Sequence, residues 1–170
     1  PLPGSWILEL DIERAVGNAE FVVVAVPSKA FRDVAAHLGK FRGIAASVTK
    51  GIDCEQGITM SAILGAAAPG ARVAALSGPN LALEVAHGMP TASVAASKDE
   101  SAAEQLQALL HRPAFRVYTS TDILGVELGG ALKNVIAIAA GTSDGLGFGD
   151  NSKAALITRG IAEMRRLGTA

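Results

Sequence analysis

A continuous apolar run, "FVVVAV" from Phe21 to Val26, is closed by the turn signal Pro27-Ser28. A strand that faces water on one side alternates apolar and polar residues. This run does not alternate, so it needs cover on both faces. That condition is met where helices pack on both sides of a parallel sheet. Four more strand signals follow: "IAASVT" at Ile44 to Thr49, "RVAALSG" at Arg72 to Gly78, "TASVAAS" from Thr91, and "FRVYTS" to Ser120. Helical segments lie between them. "SKAFRDVAAHLG" has Ser28 as its expected cap and Gly39 as its stop. A second helix falls around Thr59 to Ala67, a short one in "PNLALEVAHG" before Gly88, and another from Asp99 to His111. Strand and helix alternate, which predicts an α/β domain with parallel strands over residues 1–120.

The pattern changes after Ser120. Asp122 to about Thr142 reads as one helix, and Asn151 to the end as another. "SDGLGFGDNS" joins them. Its GxGxG follows no strand, so it is weak as a phosphate loop and reads as a tight interhelical turn. The expected architecture is α/β then all-α, with a boundary near Ser120. Residues 1–120 are part of a dinucleotide-type domain, and 121–170 begin a helical domain. The start without Met and the end inside a helix look like cuts in a longer protein.

Hydrophobic residues make up 49% of the 170, enough for a sizeable core, and only 18% are charged. The net charge of -1 gives no electrostatic footprint for nucleic acid or an anionic membrane. Cys54 is the single cysteine, which excludes an intrachain disulfide and a Cys-based zinc site and fits a reducing, cytoplasmic setting. His37, His87 and His111 lack metal-ligand spacing, and Asp11 to Glu13 with Glu20 read as a solvated face. "PLPGSWILELDIERA" lacks the basic start and apolar run of a signal peptide. The segment around Lys133 reads as too short and interrupted for a bilayer, which needs about 20 apolar residues.

Three places can carry chemistry. Lys133 is the only ionisable residue between Glu127 and Asp144, among Leu, Val, Ile, Ala and Gly that belong in an interior. It either snorkels out with its stem buried, or sits in a dry pocket that lowers its pKa and lets it exchange a proton. Asn134 beside it either bonds a ligand or faces water. Lys50 follows the carboxyl end of a buried strand, where open α/β sheets bind ligands, or is a solvated loop lysine. "LSGPNLALE", Leu76 to Glu84, aims a helix N-terminus off a strand end, with Asn80 placed as a natural cap.

Together "VVVAVPS", "TKGID", "LSGPNLALEVAHGMPTA" and "GGALKNVIAIAAGTSDGLGFGDNSKAALITRGIAEM" resemble the NAD(P)-dependent glycerol-3-phosphate dehydrogenase family, in its bacterial form. The resemblance runs from Pro1 to Ala170, and "PLPG" looks like the segment after the family's first Rossmann half. It implies the C-terminal part of a Rossmann-like domain followed by the start of a helical, 6-phosphogluconate-dehydrogenase-like domain. It implies NAD or NADP as cofactor. The substrate pair is dihydroxyacetone phosphate and sn-glycerol 3-phosphate, used for phospholipid synthesis. Lys133 then stands as the catalytic lysine. Lys50, Gly78, Asn80 and Asn134 line the substrate, and Lys50, Ala82, Pro27, Ser28 and Ala30 the cofactor. A homodimer follows from family precedent, with no nucleic-acid or membrane partner.

The family's GxGxxG turn is not in this sequence. Nor is its later helical segment, with an aspartate that partners the lysine and an Arg-Asn pair for the phosphate. The piece alone is expected to be inactive. The choice between NADH and NADPH lies outside it, although the bacterial look leans to NADPH. The alternatives are a β-hydroxyacid or ketopantoate type of reductase, and a non-catalytic truncated module. The first would not be expected to combine "SGPNLALE" with "GGALKN".

Overall fold

The computed structural model describes residues 4–169; Pro1 to Pro3, most of "PLPG", and Ala170 lie outside the described residues. The chain begins with a short helix α1 (Ile12–Val16), capped by Asp11, whose side chain accepts from the Arg14 N–H. Then come β1 (Phe21–Val24), α2 (Ser28–Ala36), β2 (Ile44–Ser47), α3 (Met60–Ala67) and β3 (Arg72–Ser77). After these follow α4 (Ala82–Ala86), β4 (Thr91–Ala96), α5 (Glu100–Leu110) and β5 (Phe115–Ser120). Two long helices, α6 (Ile123–Gly145) and α7 (Asp150–Gly168), complete it.

The strands form one sheet in the order β1-β2-β3-β4-β5. β1 to β3 pair in parallel, as do β4 and β5, but β3 and β4 are antiparallel. The wholly parallel sheet expected from the sequence is corrected at this junction. A parallel return needs a crossover that packs on the sheet, usually a helix. The connection here holds only the five-residue α4, which buries none of its residues, so the chain turns back.

β2 is buried along its whole length, the polar Ser47 included. On one face Ala45 and Val24 pack against Phe31, Ala35 and Leu38 of α2 and Met60, Ile63 and Leu64 of α3. On the other, Ile44, Ala46, Ala74, Ala95 and Val117 pack against Ala102 and Leu106 of α5. Each large aliphatic side chain enclosed this way contributes about 1.5–3 kcal/mol.

Two expected caps are different. Ser28 is the first helical residue of α2, and Pro27 holds the cap position without a side-chain bond. Proline presets the entry φ, so a hydroxyl is dispensable there. Asn80 does not cap α4; Leu81 does, and the Asn80 amide is used elsewhere.

α6 follows the edge strand β5, but Ile123 packs inward on Ala75 of β3 and Ala96 of β4, and the helix runs over β3 toward its carboxyl end. α7 folds back along it. Asp144 meets Lys153, Ile136 meets Gly160, and Leu128 meets Gly168, which is the register of an antiparallel hairpin. The Gly-rich stretch forms the turn between them, with Ser143 to Gly145 still helical.

Two expectations about α6 change. The helix has 23 residues and an 18-residue window of mean hydropathy 1.6, so by length and composition it is long and apolar enough to cross a membrane. It continues through the small residues that seemed to interrupt it, because Gly and Ala do not break a helix already packed on a partner. The apolar residues after Lys133 are also not enclosed here, since Val135 and Ile138 are 67% and 71% exposed.

Candidate active site

The site grows from the carboxyl ends of β1, β2 and β3, which lie side by side because those strands are parallel. Past β2, the Thr49 hydroxyl donates to the Val26 carbonyl at 2.7 Å. This seats Lys50-Gly51 beside Pro27-Ser28. Arg32 of α2 holds the same loop from behind through Asp53, at 2.8 Å. Lys50 is thus an exposed cation on a braced loop.

Past β3 the chain makes a close turn. The Asn80 N–H donates to the Gly78 carbonyl at 3.0 Å. A Cβ on Gly78 would lie 2.6 Å from the Ala92 carbonyl oxygen, so only glycine lets β3 end this close to β4. The turn aims the Asn80 side chain at two partners. Its Oδ1 accepts from Lys50 Nζ at 3.2 Å, and its Nδ2 donates to Ser93 Oγ at 3.1 Å.

α6 supplies the second lysine. Gly130 lies directly against the Ser77 hydroxyl, which would have to turn aside for any side chain there. One turn later Lys133 Nζ donates to the Gly78 carbonyl at 2.8 Å. The two lone pairs of that carbonyl therefore serve Lys133 and the Asn80 N–H. The Lys133 pKa is held below the ordinary 10.5, first by partial burial and then by the charge of Lys50. An ammonium has three donors, so each lysine keeps two for a ligand.

Gly78, Pro79, Gly129, Gly130 and Lys133 line a hollow of about 260 Å³. Larger clefts, of about 510 and 480 Å³, lie between α1 and α2 and between α3 and the start of α6, and neither contains either lysine. The two-lysine geometry marks the site better than cleft size does.

Of the residues singled out in the sequence, the structure brings Lys50, Gly78, Asn80 and Lys133 together. Pro27 and Ser28 flank the Lys50 loop, and the Ala30 N–H donates to the Pro27 carbonyl within the first turn of α2. Ala82 opens α4 and is exposed. Asn134 is exposed and makes no side-chain hydrogen bond among the described residues. Ser77, Ser93 and Glu127 are buried polar residues of this region that the sequence did not single out. The alternation of β4 marks Ser93 as facing the core, and a serine there needs a partner. His37, His87 and His111 are exposed, and no metal-binding group exists among the described residues.

Comparison with known proteins gives the family of the chain. The family described as NAD-dependent glycerol-3-phosphate dehydrogenase matches twice, its N-terminus over residues 1–103 and its C-terminus over 122–170. Glycerol-3-phosphate dehydrogenase [NAD(P)+] of Halorhodospira halophila is 45% identical over 100% of this chain and 52% of its own length. That of Geobacter metallireducens is 51% identical over 94% of this chain and 49% of its own. The crystal structure of glycerol-3-phosphate dehydrogenase from Coxiella burnetii superposes with a TM-score of 0.87 at 37% identity, covering 99% of this chain and 53% of that one. The chain spans about half the length of the curated relatives it matches. Matched over nearly all its residues, it belongs to the NAD-dependent glycerol-3-phosphate dehydrogenase family.

Proposed function

We propose that this chain is the central part of an enzyme that interconverts dihydroxyacetone phosphate and sn-glycerol 3-phosphate with NAD or NADP. The product would feed glycerophospholipid synthesis in the cytoplasm. The observation that carries the reading is the convergence of Lys50 and Lys133 on the Gly78–Asn80 turn. Residues 1–120 serve as the dinucleotide-binding part, and 121–170 open the helical catalytic part. The active unit is a homodimer of the relatives' length.

The residues present suit a dinucleotide. The first turn of α2 has no side-chain cap, so its first two N–H groups, of Ser28 and Lys29, are open to polar ligand atoms, and Pro27 and Ala30 lie beside them. When bound, the nicotinamide supplies the hydride for C2 of the ketone. Lys133 then has two tasks. Its ammonium stabilises the negative charge that develops on the C2 oxygen, and it gives that oxygen a proton. In the reverse direction neutral Lys133 takes the proton from the hydroxyl. Its lowered pKa serves both directions, because the proton is held less tightly. Lys50, fixed by Asn80, adds a second positive charge at the same oxygen. In the family the phosphate is held by an Arg-Asn pair outside this sequence.

The test is reduction of dihydroxyacetone phosphate by the full-length protein, followed as loss of reduced-nicotinamide absorbance. Lys133→Ala should lower kcat by about 10²–10⁴-fold with the fold intact. Equal rates would make Lys133 structural. An inactive unmutated protein would sink the substrate assignment.

A further inference from the structure

One member of the polar cluster touches neither lysine. Ser93 lies on β4 with 2% of its surface exposed. Its Oγ donates to the Ser77 carbonyl at 3.0 Å and accepts from Asn80 Nδ2 at 3.1 Å. A serine hydroxyl has one proton, and a backbone carbonyl can only accept. The proton is therefore committed to Ser77, and Ser93 can only accept from Asn80. That forces the amide to present its NH₂ to Ser93 and its oxygen to the opposite side. Lys50 stands there at 3.2 Å, and an ammonium has donors only. A reversed amide would set NH₂ against NH₃⁺ at one end and two acceptors against each other at the other.

We propose that Ser93 is a positioning residue: it fixes the Asn80 amide and, through it, holds the Lys50 ammonium at the Gly78–Asn80 turn. The path runs from β4 to the turn after β3 to the loop after β2. The antiparallel step in the sheet makes it short, because it places the early part of β4 beside the end of β3, with Ser77 paired to Val94. Lys50 is otherwise a long, exposed side chain with many rotamers. Holding it in place before substrate arrives removes part of the ordering cost of binding.

The inference rests on the proposed role of Lys50 in substrate binding, so two readouts separate the claims. The first is the crystal structure of the full-length Ser93→Ala protein beside the unmutated one. Lys50 Nζ and Asn80 Oδ1 should move beyond hydrogen-bond distance. If they stay bonded as before, the inference fails, whatever the protein's activity. The second is a double-mutant cycle on dihydroxyacetone phosphate reduction. Ser93→Ala should raise KM for that substrate about tenfold with a smaller change in kcat. It should add nothing in an Asn80→Ala background, and Ser93→Thr should restore KM. Independent, multiplying effects would mean that Ser93 acts only as core packing. Should Ser93→Ala fail to fold, Ser93→Cys keeps the site filled, with a somewhat larger and weaker acceptor, and carries the same expectations. An unmutated protein that is inactive on this substrate counts against the proposed function, and the structural comparison still decides the role of Ser93.

Discussion

Glu127 on α6 and Ser61 on α3 stand 66 residues apart, yet both carboxylate oxygens of the first bind the second. One oxygen accepts from the Ser61 N–H at 2.8 Å, and the other from the hydroxyl. A buried carboxylate thus adds a second cap to the N-terminus of α3, whose Ala62 N–H is already held by the Thr59 hydroxyl, at a place where the helix dipole favours negative charge. It also ties the lysine-bearing helix to the α/β layer. Glu127→Ala should cost about 3 kcal/mol, since it strips charge-assisted bonds from a buried site. Glu127→Gln should cost about 1 kcal/mol. Denaturant titration of both variants checks this, and equal stabilities would show that the clasp contributes nothing.

The lowered pKa of Lys133 has a consequence for pH dependence. The folded state holds that proton less tightly than the unfolded one. Between the lowered value and 10.5 the unfolded chain binds more protons, so stability rises with pH through that window. Below the window the penalty is fully present. Lys133→Met should flatten the rise. Lys50→Met should shift it toward higher pH without removing it, because burial is the larger cause. Amine acetylation rates against pH read the same shift at Lys133 directly, and an unmoved profile in Lys50→Met would refute the coupling.

Gly78→Ala tests the close approach of β3 to β4. The new methyl would meet backbone, the Ala92 oxygen at 2.6 Å and Ser93 Cα at 2.8 Å, so neither neighbour can swing away. A loss of about 1–3 kcal/mol is expected. The Asn80 bond to Ser93 should weaken with it. A melting temperature equal to that of the unmutated protein would show that the turn relaxes freely.

Leu106 of α5 is fully enclosed, and α5 is the one helix that covers its face of the sheet among the described residues. Leu106→Ala should cost about 2–5 kcal/mol. Leu109 on the same helix is 41% exposed, and Leu109→Ala should cost less than about 1 kcal/mol. Comparable losses at both sites would mean that α5 is covered by something else.

Much of this was legible in the residues, for identifiable reasons. The unbroken run at Phe21 to Val24 called for cover on both faces, but β1 is an edge strand: α2 and α3 cover Val22 and Val24, while Val23 on the other face stays 44% exposed. Lys50 and Lys133 stood out as cations where the pattern called for a strand end and an apolar helix. Asn80 was misleading, because an amide just ahead of a helix looks like a cap. Its partners lie 30 and 13 residues away, and no local pattern reports them. The reversal of β4 was hidden too. A strand's direction depends on whether the preceding helix packs on the sheet, and α4 looks helical whether it packs or not. The clasp of Glu127 on Ser61 joins two segments whose own periodicities are indifferent to it.

The path of α6 makes it a measuring rod. It is anchored at Ile123 on β3 and β4 and delivers an amine to the carboxyl end of β3. Each helical residue advances the chain by about 1.5 Å and turns it by about 100°. One residue added or removed between Glu127 and Lys133 would leave the clasp closed and point the amine away from Gly78. Within this segment, the count of residues matters as much as their kind.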